Sequence, residues 1–414
     1  MQRSLFTAVS GLRNHQIKMD VIGNNIANVN TTAFKAGRVR FQDILSQNIR
    51  GASAPQFGRG GINPAQVGLG MSIAAIDTIH EPGSLQNTGR PTDLAIQGAG
   101  FFIVTDGVSY YYTRDGAFSR GADGDLVNSA NGLKLLGWTV DSSGAIDTNA
   151  PLGTLNIPLG QKVTTKPTEE VLLGANLDAS ADTGALSAHE TAVYVYDSQG
   201  GIHTVRIAFE KTGTNQWTWE AERVLPDGTI VSPDAGTGSG TLEFDVYGNL
   251  ETSTGDTTAF AMTGVDNLSI AMDFSGMTQV VGPSNALVRY QDGFPVGELA
   301  GFTIERSGVV SGIYTNGLVR ELGQIALASF SNPEGLLKGA ANMYQISTNS
   351  GLPFIGTAGQ GNLGVIETAT LEMSNVDLAY EFTEMITTTR AFQANSRVIT
   401  SSDELLHEIV NLKR

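Results

Sequence analysis

The chain has 414 residues, 41% hydrophobic and 16% charged, with 50 Gly and no Cys. That length accommodates two or three domains. The composition excludes disulfide and thiol chemistry, and no apolar run approaches the ~18 residues of a membrane-crossing helix. A net charge of −16 argues against a nucleic-acid partner, because phosphate recognition needs a basic face.

The opening "MQRSLFTAVSGLRNHQIKMD" lacks the continuous apolar core and cleavage site of a secretory signal. It predicts a helix instead. Leu5, Val9, Leu12, Met19 and Ile26 follow a heptad-like stripe, with Gln16 and Gly23 at the intervening steps. The next stretch, "IGNNIANVNTTAFKAGR", carries Asn24, Asn25, Asn28 and Asn30. Asn is a mediocre helix former, because its amide competes for backbone hydrogen bonds. Residues 23–34 are therefore expected to end the helix and start an extended connection, anchored by Phe34 and Phe41. Residues 51–70 are Gly-rich and read as a linker.

From Asp93 to Arg120 the pattern is strand and turn, punctuated by Gly98, Gly100, Asp106-Gly107 and Asp115-Gly116. Tyr110, Tyr111 and Tyr112 are expected to pack in or edge a sheet. A second β region runs from about Val140 to Pro283, with hairpin signals at Gly200-Gly201 and Asp227-Gly228. Trp217 and Trp219, two apart, share a face. Strand patterns resume in "GQIALASFSNPEGL" and "NMYQISTNSGLP". Then Ser374–Asp377 offers an N-cap to a helix predicted over 375–412, roughly 55 Å long. Its apolar stripe runs through Leu378, Phe382, Met385, Thr389, Phe392, Ser396, Ile399 and Leu406, broken at Asp403.

Charge is distributed unevenly. Residues 1–50 hold seven basic and two acidic side chains, and residues 367–414 four basic and eight acidic. The ends are complementary and the middle strongly acidic, as suits a solvated exterior. The expected fold is multidomain α+β. Terminal helices pair as a coiled-coil-like inner domain (1–70 and 364–414) around two nested, mainly β domains (71–140 with 285–363, and an insert at 141–284). The alternative for the stripes is an intramolecular helical hairpin, but they face little apolar partner area in the Gly-rich middle and carry Asn395 and several Ala suited to close packing, so they are expected to bury against neighbouring copies.

No chemistry-bearing site emerges. "GQGNLG" at 359–364 lacks the strand-then-helix context of a dinucleotide loop. The "DGD" at 123–125 lacks the spaced carboxylates of a calcium loop. The five His are scattered, and no nucleophile elbow is present. No catalytic, cofactor-binding or metal residue, and no cofactor, is expected.

"NNIANVNTTAFKAGRVRFQD" resembles the N-terminal signature of the flagellar rod and hook axial proteins, and "SNVDLAYEFTEMITTTRAFQANSRVITSSDELLHEIVNL" resembles their C-terminal one. The stretches 63–104, 112–138 and 323–351 look like their shared β domain. Two departures stand out. Ala33 occupies a position where the family commonly has Gly, and Thr388-Thr389 precede Arg390 where Gln is usual. The insert of about 140 residues points to the hook members over the shorter distal-rod members. The resemblance implies a structural homopolymer, a curved, flexible tube that carries motor torque as a universal joint. It also implies export by the flagellar type III apparatus without a cleaved signal. Implied partners are distal-rod and hook–filament junction proteins and the hook cap. Implied assembly contacts are Leu5, Val9, Leu12, Met19, Asn24, Asn25, Ile26, Asn28, Phe34 and Lys35 at one end. At the other they are Asn375, Leu378, Phe382, Met385, Arg390, Phe392, Asn395, Ile399 and Leu406. The alternatives are a distal-rod member with an enlarged outer domain, or a cell-surface adhesin or enzyme using the insert.

Overall fold

The computed structural model describes residues 2–411, except 53, 56, 59, 142, 143, 160, 161, 164, 185–188 and 263. Two compact units divide the chain. One comprises Met1–Ile157, Thr303–Ser311 and Glu321–Arg414, the other Pro158–Phe302 and Gly312–Arg320. The insert expected at 141–284 differs from the second unit at both ends. Gly153–Thr154 pairs antiparallel with Lys134–Thr139 inside the first unit, and 285–302 fall in the second. Turn-rich composition locates a break in regularity, but not the sheet in which the flanking residues end. Ser142 and Ser143, part of the expected boundary, lie outside the described residues.

In the first unit, helix α1 (Gln2–Ala27) packs antiparallel on helix α2 (Leu378–Asn411). Asp377 is the α2 N-cap: its Oδ1 accepts from the backbone N–H of Ala379 at 2.8 Å. α1 stops at Ala27, where the Asn cluster predicts an end. Asn28 Nδ2 donates to Asn24 O at 2.9 Å, covering a carbonyl freed at the helix terminus. Strands Gly37–Asp43 and Met71–Thr78 form an antiparallel pair against α1. Beyond them, Ser46–Arg50 pairs with Ala65–Gly68, so the end of the Gly-rich stretch is strand and not linker. Phe41 packs edge-on against His15 of α1, 5.5 Å between centroids.

The two chain ends also meet as β structure. Leu85–Asn87 pairs with Thr370–Glu372, and Leu94–Gln97 with Val365–Thr368. Behind them a larger sheet includes Phe101–Thr105, Tyr110–Thr113 and Lys134–Thr139. Its core is Phe101, Ile103, Tyr112, Leu136, Trp138, Ala326, Ala328 and Tyr344. Burial rises along Tyr110–Thr113, from exposed Tyr110 at the strand's outer end to buried Tyr112 and Thr113. "GQGNLG" is a turn closed by Gly359 N–H to Gly364 O at 2.9 Å.

Two sheets of the second unit share one core. In one, His189–Tyr196, Ile202–Gly213, Gln216–Val224, Ser239–Phe244 and Leu250–Ser253 follow each other antiparallel. In the other, Glu170–Asp178 runs parallel to Leu268–Val280 and antiparallel to Leu287–Gln291. Trp217 and Trp219 are both fully buried in that core, with Phe209, Phe260 and Phe274. The Trp219 indole N–H donates to Thr254 O at 3.2 Å.

Candidate assembly surface

The helix pair has a seam that hydropathy alone misplaces. The fully buried positions of α2 are Glu381, Thr388 and Ser402, and Asn395 completes the same seven-residue spacing. Asn395 packs so close to α1 that a Cβ on Gly11 would lie 2.7 Å from its amide nitrogen. Met385, Phe392, Ile399 and Leu406 flank this line and are half-buried. The expected stripe shared those four residues but alternated them with Phe382, Thr389, Ser396 and Asp403. The seam alternates them with polar side chains one position earlier, so Phe382 is 50% exposed. On α1 the buried positions are Ala8, Gly11, Ile22 and Asn25. Leu5, Val9, Leu12, Met19 and Ile26 are only half-buried. Met19 Sδ accepts from the Thr389 hydroxyl at 3.8 Å.

Asn25 and Glu381 bond to each other across the seam. Asn25 Nδ2 donates to Glu381 Oε1 and to Gly37 O, both at 2.9 Å, while its Oδ1 accepts from Gly37 N–H at 3.0 Å. Lys18 Nζ pairs with Glu384 at 2.5 Å. Burial, and then the neighbouring Glu384, raise the Glu381 carboxyl above its usual range, against the opposing Asn25 hydrogen bond and Lys18.

A second polar cluster ties the helix pair to the sheets. Lys35 and Arg114 converge on Glu372, at 2.5 and 3.2 Å, with all three side chains almost wholly buried. Lys35 also donates to Glu81 O at 2.7 Å, Arg114 to Gly98 O at 2.7 Å, and Gly83 N–H to Glu372 Oε1 at 3.0 Å. Burial pulls the Lys35 ammonium down and the Glu372 carboxylate pushes it back up. Asn375 joins three segments: its Nδ2 donates to Ile79 O, and its Oδ1 accepts from Ala36 N–H. Phe34 is buried beneath Lys338, whose Nζ sits 4.2 Å from the ring centroid. Asn25, Phe34 and Lys35, three of the expected assembly contacts, are buried and make their contacts within the chain. Asn28 and Asn375 are half-buried and also bonded internally, while Asn24 and Arg390 are exposed.

Several large apolar side chains remain outside. Leu378, Phe382 and Ile386 are 40, 50 and 57% exposed, and Val398, Leu405 and Ile409 between 42 and 51%. Phe6 of α1 is 73% exposed. Ile386 and the distal trio were missed in the sequence, although Ile386 lies one four-residue step beyond Phe382. Glu372 and Arg114 carried no sequence signal, because Glu372 lies 337 residues from Lys35 and 258 from Arg114. Among the described residues no group of His, Asp and Glu is placed to hold a metal. Among the described residues no helix is long and apolar enough to cross a membrane.

Terminal helices already paired through a polar seam, with apolar side chains left outside and β units nested between them, define a subunit of the rod-and-hook axial class. Family models agree along the chain. The model described as Flagella basal body rod protein matches residues 5–35, and the flagellar hook protein FlgE/F/G D1 domain 95–166. The flagellar basal body protein FlaE D2 domain matches 162–294, and the flagellar basal body rod FlgEFG protein C-terminal model 367–412. The flagellar hook protein FlgE of Treponema pallidum is 41% identical over 466 residues, covering all of both chains. That of Borreliella burgdorferi is 40% identical over 448 residues, again covering both fully. The flagellar basal-body rod protein FlgG of Bacillus subtilis is 31% identical over 415 residues, likewise end to end. The crystal structure of Helicobacter pylori flagellar hook protein FlgE2 shares the fold at a TM-score of 0.54 and 15% identity, covering 71% of this chain and all of that one. The chain belongs to the flagellar hook protein FlgE family.

Proposed function

We propose that this protein is the structural subunit of a flagellar hook, polymerising into a curved, flexible tube that passes motor torque to the filament. It is not an enzyme in this reading. The observation that carries the polymer is the outer face of α2, where Leu378, Phe382 and Ile386 stay exposed although the helix already has its intramolecular partner. Contiguous apolar surface of this kind marks an interaction site. A subunit that meets identical copies through different patches generates a helical filament.

The half-buried and exposed members of the expected contact set, from Leu5 to Ile26 and from Leu378 to Leu406, belong to that interface. The three-part division is part of the same reading, with the helical ends serving contact between copies and the insert folding separately. So are a flagellar location, export through the type III apparatus without a cleaved signal, and end contacts with distal-rod, junction and cap proteins. The end-to-end match to a rod protein favours a second reading, a distal-rod subunit. Electron microscopy of tubes grown from the purified protein separates the two. Bent tubes are expected for the hook, and uniformly straight, rigid rods would replace it with the rod.

A further inference from the structure

A cavity of about 400 Å³ lies where the helix pair meets the strand Gly37–Asp43. That size falls within the roughly 300–1,000 Å³ of small-molecule sites. Val21 and Ile22 of α1, Val39 of the strand, Ile79 and Tyr380 give it apolar walls. Glu381 supplies a polar group. It is only 7% exposed, yet one of its two carboxylate oxygens is idle. Oε1 accepts from Asn25 Nδ2 at 2.9 Å, while no described residue donates to Oε2. That second oxygen retains accessible surface, so it opens onto the cavity that Glu381 lines. Leaving a buried carboxylate oxygen without a donor is costly. The burial that raises the Glu381 pKa acts on the same group.

The other charged groups at the cavity are already committed. Lys18 pairs with Glu384. Arg38 lies 3.9 Å from Asp77, and its side chain is 57% exposed. An anion entering here has to compete with a carboxylate for either cation, whereas an entering donor finds Oε2 free. The formal charges of Lys18, Arg38, Glu381 and Glu384 cancel, so a cation meets no net repulsion at the mouth.

We infer that this cavity binds a small organic cation, a primary ammonium or guanidinium that donates to Glu381 Oε2 and lays a short apolar stem against Val21, Val39 and Ile79. A free amine and the Lys or Arg side chain of another copy both carry this chemistry. The cavity is complete in the single chain, so the inference stands apart from the polymer reading. An occupant touches α1, α2 and the strand together. It thereby stabilises the docking of the helix pair by mass action.

The probe is n-butylamine, protonated at pH 7 as a lysine side chain is, with 1-butanol as its neutral counterpart and butyrate as an anionic one. Methyl NMR of the full-length monomer follows Val21, Ile22, Val39 and Ile79 through each titration. Butylammonium is expected to shift these signals saturably, and butanol and butyrate to bind at least about tenfold more weakly. Glu381→Gln is expected to weaken butylammonium by the same factor and to leave butanol unchanged. Val39→Trp keeps the carboxylate and fills the cavity, and is expected to abolish binding. No saturable shift, butanol binding as tightly as butylammonium, or undiminished binding by Glu381→Gln overturns the site. Assembly then identifies the source of the cation. If saturating butylamine raises the critical concentration for tube formation, and does so only with Glu381 intact, the site belongs to a neighbour's side chain. An unchanged critical concentration assigns it to a free amine.

Discussion

Glu372 shows how much a single side chain does here. It neutralises two buried cations, Lys35 from the N-terminal connection and Arg114 from the inner sheet. Removing one partner of such a cluster leaves uncompensated charge in a dry site and costs about 3–5 kcal/mol. Glu372→Ala is expected to destabilise the free chain by that amount in denaturant titration. His80 lies beside this cluster, packed against Phe101 and Tyr344. Burial, then the charges of Lys35, Arg114 and Lys338, lower its pKa from 6.5 to about 4. The unfolded chain therefore binds a proton between these values and the folded one does not. Stability is full above pH 6.5 and declines as pH falls towards 4, by on the order of 2–3 kcal/mol. His80→Phe should flatten that part of the stability–pH curve, and an unchanged slope would contradict the assignment. Ala33 is a different kind of constraint. It is buried at φ +56°, a region costing L-residues about 1–2 kcal/mol and open to Gly without that strain.

At the scale of the helix pair, the seam is held by small and polar groups, and Glu381 is the least comfortable of them. Its raised pKa means that stability from its protonated form is present below the unfolded value of 4.5 and is lost as pH rises through the folded one. Glu381→Gln keeps an acceptor for Asn25 and removes the charge. It is expected to raise the unfolding midpoint at pH 7 and to lose that advantage below pH 4.5. A lower midpoint at pH 7 would show that the charge itself holds the pair. This seam also marks where the sequence was legible. Both helices, the Asn-rich end of α1, the Asp377 cap and the paired tryptophans follow from period, composition and capping chemistry. The seam's phase does not, because Met385, Phe392, Ile399 and Leu406 fit two adjacent stripes equally well. The side chains that decide between them, Glu381, Thr388, Asn395 and Ser402, are invisible to a hydropathy count. The cluster of Lys35, Arg114 and Glu372 was illegible for another reason: only folding brings these distant residues together.

For the whole molecule, the intramolecular contacts and those left for other copies fall on different sides of α2. The first centre on Glu381, Thr388, Asn395 and Ser402, and the second include the exposed Leu378, Phe382 and Ile386, so assembly can be disabled without unfolding the subunit. Burying Phe382 and Ile386 against a neighbour contributes about 1.5–3 kcal/mol per side chain, repeated at every subunit of the tube. Their exposure in the single chain means that charged replacements there cost little of its own stability. The most direct measurement is electron microscopy of the Phe382→Asp/Ile386→Asp variant under conditions where the unmodified protein forms tubes, with thermal unfolding of both monomers alongside. The account predicts no tubes and an unfolding midpoint within a few degrees of the unmodified chain. Tubes of normal number and shape from the variant would contradict it.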